Sequence, residues 1–209
     1  ILDTRKKLTG SEVLELTGKD GVETAAPYLS GKTVAKSEGS SLEVTLYGIT
    51  QEYAAAQNLS LSAGRMISEL DRQERLKVCV IGAKVAEELD HTEAVLGASI
   101  RIGGEDYKVV GVLEKEDDSL MGSNNKSIFI PLMNAQRLLK QTGIAGFYVT
   151  SADKTSLTEA QSTVTAFLKK KYKDENSYII INMSNVLDMM NTVMDTLSLM
   201  LGGIAAISL

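Results

Sequence analysis

Apolar positions along the chain alternate or cluster in short runs up to about residue 150, then adopt helical spacing towards the end. Residues 8–18 predict a short helix, because Thr9 and Glu12 have capping-box spacing and Gly18 supplies a stop. Lys19-Asp-Gly21 predicts a turn. Residues 22–36 read as extended, with Pro27 marking an edge or bulge, and Glu38-Gly-Ser40 turns the chain into a strand over 42–47. Residues 52–56 fit a helical turn, 61–65 a loop, 68–74 a polar charged stretch and 76–81 a buried strand stopped by Gly82. A helix is expected over 84–89. Gly103-Gly104 joins strands 99–102 and 107–113 as a hairpin, because both turn residues can take positive φ. After a polar loop over 114–125, a strand at 127–130 and a helix at 132–140 follow.

The last third predicts a strand (146–150), a helix started by a Ser156/Glu159 capping box, and a second strand (178–182). Leu157, Ala160, Val164, Phe167 and Leu168 would share the buried face of that helix. This strand-helix-strand unit, set beside the N-terminal helix and ribbon, predicts an α+β chain of two subdomains. Residues 1–49 and 143–196, from both chain ends, would form one α/β subdomain. Residues 50–142 would be an inserted mixed α/β subdomain.

A final helix is expected from Asn185, capped by Ser184. Val186, Leu187, Met190, Val193, Met194, Leu197 and Leu201 keep helical spacing, and neither Pro nor Gly interrupts them before Gly202. Five of the eight methionines lie between Met183 and Met200, and methionine most simply fills irregular apolar gaps. Residues 196–209 carry no charge. Fourteen helical residues reach roughly 21 Å, short of a bilayer core about 30 Å thick. Length alone leaves two readings: a buried terminal helix, or residues 197–209 as the start of a truncated transmembrane helix. In the second, Met190, Val193, Met194, Leu197 and Leu201 would couple the membrane to the folded part.

Composition narrows the chemistry. The chain has 209 residues, 44% of them apolar and 23% charged, with net charge -5. That balance suits a folded domain and offers no basic surplus for nucleic acid. One cysteine, Cys79, excludes an internal disulfide framework, and one histidine, His91, excludes a two-histidine zinc site. Cys79 sits in an apolar run as an inert buried thiol would, and His91 follows Leu89-Asp90 in a polar turn. Glu114-Lys-Glu-Asp-Asp118 lacks the alternating oxygen ligands and glycine of a calcium loop. Gly103-Gly104 is not followed by the Gly-Lys-Ser/Thr of a phosphate loop. We therefore expect no catalytic residues, metal or cofactor within the chain.

Several motifs recur in one order: Tyr47-Gly-Ile-Thr-Gln-Glu-Tyr53, Leu61-Ser-Ala-Gly-Arg65, Val78-Cys-Val-Ile-Gly82, Val85-Ala-Glu-Glu-Leu89, Leu96-Gly-Ala-Ser-Ile-Arg-Ile102 and Tyr107-Lys-Val-Val-Gly-Val-Leu113. Pro131-Leu-Met-Asn-Ala-Gln136 and Gly202-Gly-Ile-Ala-Ala-Ile-Ser-Leu209 extend the series. Together they resemble the periplasmic core domain of MacB-type ABC transporter permeases, within the FtsX-like permease superfamily. Asp20-Gly-Val22 stands where that family often has Pro-Gly-Val. The resemblance implies the domain of a four-helix permease that lies outside the cell membrane, between the first and second membrane helices. Its implied partners are a second permease copy, a cytoplasmic ABC ATPase (separate or fused) and a membrane-fusion-type adaptor protein. The implied function is mechanotransmission, in which ATP-driven helix motion moves the outer domain and exports peptides, antibiotics or similar cargo. The alternative is an FtsX-like regulator that activates a cell-wall hydrolase. The matching motif residues are Gly48, Gly64, Arg65, Gly82, Gly97, Gly111 and Pro131.

Overall fold

The computed structural model describes residues 7–37, 39–89, 95–117, 122–172 and 175–207; the side chains of 154, 175 and 202–207 are outside that description. The chain divides into two compact units, residues 1–167 and 168–209.

The first unit opens with α1 (Gly10–Leu14), capped by the expected Thr9/Glu12 box: the Glu12 N–H donates to Thr9 Oγ1, and the Thr9 N–H donates to Glu12 Oε2 at 2.9 Å. β1 (Thr24–Ser37) and β2 (Ser40–Ile49) form a long antiparallel ribbon. Pro27 lies where β1 is paired on one side only, with β8 (Gly146–Thr150), because the β2 ladder begins at Tyr28. Then come α2 (Gln51–Ala56), β3 (Leu61–Gly64), α3 (Glu69–Gln73), β4 (Val78–Ile81) and α4 (Ala83–Leu89). β5 (Ser99–Ile102) and β6 (Glu105–Leu113) meet across Gly103-Gly104, whose φ values of 56° and 94° give the expected two-residue turn. A 3-10 turn (Asn124–Lys126), β7 (Ser127–Pro131), α5 (Leu132–Leu138) and β8 follow.

β1 pairs with both β2 and β5, closing the path β1-β2-β7-β4-β6-β5 into a ring; β8 joins β1 and β3 joins β6. β2 with β7 and β4 with β6 run parallel, and the remaining pairs run antiparallel. Strands from 1–49 and from 50–142 thus share one hydrogen-bonded ring. Alternation splits its side chains into two sets. Cys79 and Ile81, Ile100 and Ile102, Tyr107 and Val109, and Ile128 and Ile130 pack with Val85 of α4 and Leu132 and Ala135 of α5. Val78, Val80, Leu113 and Phe129 pack with Tyr53 of α2 and Ile67. The architecture is the expected α+β class, with a mixed sheet.

Several local expectations need correction. Residues 61–64 form a strand against β6 rather than a loop, with a register shift between Leu61 and Ala63 that absorbs the irregular sequence. Residues 69–73 are helical, because Ser68 and Asp71 make a second capping box. α6 (Lys154–Lys171) starts before Ser156, whose N–H donates to Asp153 Oδ1 at 2.7 Å, so Asp153 is the cap. Ala160 and Val164 are buried as expected, and Leu157 and Phe167 are half-buried.

In the second unit, residues 178–182 are not a strand. Ile179 and Ile181 are 86% and 70% exposed, and a 3-10 turn (Glu175–Ser177) precedes them. The Ser184 N–H donates to Asn182 Oδ1 at 3.0 Å, so Asn182 rather than Ser184 caps the helix that follows. That helix, α7 (Met183–Ile207), is continuous for 25 residues, and its backbone passes through Gly202-Gly203 without a break. Residues 208–209 lie outside the described residues.

Candidate functional site: packing nodes and an apolar helical stripe

The motif residues come together as contacts that fix the first unit. Gly64 has φ +81°, and a Cβ there would stand 2.2 Å from the Val110 carbonyl oxygen. The Arg65 N–H donates to that oxygen at 2.9 Å, and Gly111 lets the Arg65 carbonyl approach from the other side. Glycine is the residue that tolerates both demands. β3 is thereby pressed onto β6, and Arg65 is aimed at α3.

The Arg65 guanidinium grips Asp71 with two bonds, Nη1 to Oδ2 at 2.6 Å and Nη2 to Oδ1 at 2.9 Å. The Ser68 N–H and hydroxyl donate to the same carboxylate at 2.8 and 2.7 Å. Asp71 is 1% exposed and Arg65 about half exposed. Burial raises the Asp71 pKa, but the Arg65 hydrogen bonds, the Ser68 N–H and the Ser68 hydroxyl outweigh it and hold the group at about 2. The motif arginine is thus a clamp between β3 and α3.

Gly48 makes a second node. A Cβ there would lie 2.2 Å from the Cβ of Ala135, so α5 sits against β2 at a distance a side chain would prevent. Pro131 ends β7 and stands at the N-cap of α5. Gly82 meets the carbonyls of Asn124 and Asn125. Those two asparagines are tied to Glu116: the Asn124 N–H donates to Glu116 Oε2 at 2.7 Å, and Asn125 Nδ2 donates to the Glu116 carbonyl at 2.6 Å. Gly97 occupies a turn before β5.

One feature of this unit had no sequence expectation. Tyr28, Tyr47, Tyr53, Phe129 and Tyr148, from β1, β2, α2, β7 and β8, form one aromatic cluster. Tyr28 stacks on Tyr148 and Tyr47 on Phe129, each pair with centroids 5.2 Å apart, while Tyr53 meets Tyr28 edge-on at 5.7 Å. Burial, then the neighbouring Tyr148, raises the pKa of Tyr28, Tyr47 and Tyr53, so these phenols stay neutral. Alternation within separate strands carries four of the rings to one face, α2 adds Tyr53, and only the tertiary arrangement reveals that they meet.

The coupling residues lie on α7. Met190, Val193, Met194, Leu197 and Leu201 are 42–68% exposed. Asp188 and Asp195 are the only charged residues between 183 and 207. Thr192 and Thr196 donate their hydroxyls to the carbonyls of Asp188 and Thr192, at 2.8 Å each, and so are satisfied within the helix. Among the described residues, no helix is long and apolar enough to cross a membrane.

Cys79 is fully buried, and burial pushes its thiol up to about 12. His91 lies outside the described residues. Among the described residues no group of three or more His, Cys, Asp and Glu side chains could hold a metal. A shallow depression near the β1–β2 turn is lined by Lys36, Ser37, Ser41 and Arg101, but Arg101 already holds Asp106 at 2.9 Å. The arrangement is one of braced contacts and exposed apolar surface.

These features define an α+β domain followed in sequence by a long helix. The MacB-like periplasmic core domain description matches residues 3–167, and the chain belongs to that family. It is 25% identical to the macrolide export ATP-binding/permease protein MacB of Hyphomonas neptunium over 97% of its length. It is also 25% identical to the protein of that name from Bdellovibrio bacteriovorus over 90% of its length. The chain spans about a third of the length of these curated relatives, 32% and 30%. Its fold is similar to the periplasmic region of MacB from Actinobacillus actinomycetemcomitans, with TM-score 0.75 and 19% identity, covering 89% of this chain and 84% of that one. It is equally similar to the extracellular domain of the transporter YknZ from Gram-positive bacteria, with TM-score 0.73 and 19% identity, covering 84% of this chain and 90% of that one.

Proposed function

We propose that the chain is the extracytoplasmic domain of an ABC exporter permease of the cell membrane, coupling ATP-driven movement of membrane helices to an adaptor protein or to cargo. The observation that carries the reading is α7: 25 helical residues without a break, an exposed apolar stripe, and no charge after Asp195. A helix of that length reaches roughly 37 Å and transmits displacement along its axis. Residues 197–209 would enter the membrane as the start of the second membrane helix, and Met190, Val193, Met194, Leu197 and Leu201 would lie at the point of coupling. ATP hydrolysis is assigned to a nucleotide-binding part outside residues 1–209, fused or separate, and none to this domain. The working assembly would contain two permease copies.

In this reading the residues of 1–49 and 143–196 serve the membrane-proximal role, and those of 50–142 the distal one. Gly48, Gly64, Arg65, Gly82, Gly97, Gly111 and Pro131 hold the frame that makes the domain move as a body. Pull-down of the domain offered both membrane-fusion-type adaptor proteins and cell-wall hydrolases tests the proposal. Capture of an adaptor is the expected result. Capture of a cell-wall hydrolase in its place would install the FtsX-like regulator instead.

A further inference from the structure

The apolar stripe of α7 repeats at an interval of seven. Met183, Met190 and Leu197 form its middle column. Val186, Val193 and Met200 flank it on one side, and Leu187, Met194 and Leu201 on the other. The two charges, Asp188 and Asp195, are also seven apart and fall on the opposite face. On a straight helix a seven-residue column drifts by about 20° per repeat, so it stays in contact only with a helix that supercoils around it. A stripe that simply rests on a globular surface follows the 3.6-residue turn and has no need of the integer repeat.

The exposed residues of these columns run from 42% to 68% exposed. At roughly 90 Å² apiece, the five of them before residue 197 would remove about 900 Å² from water when two such helices pair, and Leu197, Met200 and Leu201 would continue the same seam inside the membrane. The stripe carries no charge, so an identical stripe opposes it with no like-charge contact, and both aspartates stay in water. Valine, branched at Cβ, in one flanking column beside Met and Leu, which are not, in the middle one is chemistry that two-stranded coils accommodate.

We propose that α7 pairs with α7 of a second copy of this chain as a parallel, in-register two-stranded coiled coil, with Met183, Met190 and Leu197 in the middle of the seam. The proposal rests on the two-copy assembly above and names the surface through which the copies meet. In that register each middle-column residue faces its own counterpart, within the 4.4–6.8 Å Cα spacing that a disulfide bridges, whereas the aspartate positions point apart.

Met190→Cys, Leu197→Cys, Asp188→Cys and Asp195→Cys, made singly in the intact permease in its native membrane, test this under mild oxidation. Cys79 is fully buried and stays out of the reaction. Co-purification of two differently tagged copies is measured in parallel. The expected result is covalent dimer at both 190 and 197, several-fold above that at 188 and 195. A cross-link at only one of 190 and 197 marks an antiparallel crossing and overturns the register. Tagged copies that co-purify without preferential cross-linking overturn the seam and leave the two-copy assembly standing. Tagged copies that do not co-purify overturn the assembly itself.

Discussion

Replacing Asp71 by Asn removes the charge at the centre of the β3–α3 clamp while keeping its shape. The carboxylate is 1% exposed and accepts four hydrogen bonds, two from Arg65 and two from Ser68, all between 2.6 and 2.9 Å. A hydrogen bond to a buried charge contributes about 1.5–3 kcal/mol. The asparagine keeps part of that set, and half-exposed Arg65 turns to water, so the expected net loss is about 2–3 kcal/mol at pH 7. The folded pKa of about 2 lies below the ordinary value of 3.8. A depressed carboxylate stabilises the fold above the unfolded pKa, and that contribution fades as pH falls from near 3.8 through 2. The shift corresponds to about 2 kcal/mol. Urea unfolding of the purified domain at pH 7, 4 and 2.5 measures both quantities. The difference between the parent and Asp71→Asn should be largest at pH 7 and shrink towards pH 2.5. A difference that stays constant across this range, or a loss under about 0.5 kcal/mol at pH 7, refutes the clamp.

Other positions give independent tests. Gly48→Ala drives a methyl into Ala135, 2.2 Å away, and should cost about 1–3 kcal/mol in denaturant unfolding. Phe129→Ala removes a fully buried ring stacked on Tyr47 and should cost about 3–5 kcal/mol, with loss of near-ultraviolet dichroism from the tyrosines. Cys79, with its thiol raised to about 12, should resist a thiol reagent at pH 8 in the folded domain and react at once in denaturant. Full reaction in the folded state would contradict its burial.

The features legible in the sequence are those whose signal is local. The paired glycines 103 and 104, the Thr9/Glu12 box and the run Val78–Ile81 each specify an element with a few neighbouring residues, and each is found where expected. The misread segments depend on partners far along the chain. Leu61-Ser-Ala-Gly64 has turn-like composition, yet β6 supplies a ladder and Gly64 the left-handed conformation that lets the strand bend. Tyr178-Ile-Ile-Ile-Asn182 has strand-like composition, but strand preference reflects packing against neighbours, and Asn182 is taken up in starting α7. Ser68 and Asp71 differ from the Thr9/Glu12 box in an equivalent hydroxyl at the cap and a shorter acid three residues on, so α3 was within reach of the same rule. Of the candidate site, Arg65 and the stripe on α7 follow from motif and spacing. Asp71 as the partner of Arg65, and the meeting of five aromatic rings, depend on tertiary structure.

The claim that most depends on measurement is that α7 transmits force as one unbroken rod. Asn191→Pro in the full-length permease breaks it in the middle, at a cost of about 3 kcal/mol to the helix. With ATP hydrolysis and export measured on the same preparation, the account predicts that hydrolysis continues while export is lost. Export that proceeds at the parent rate with the helix broken would contradict it.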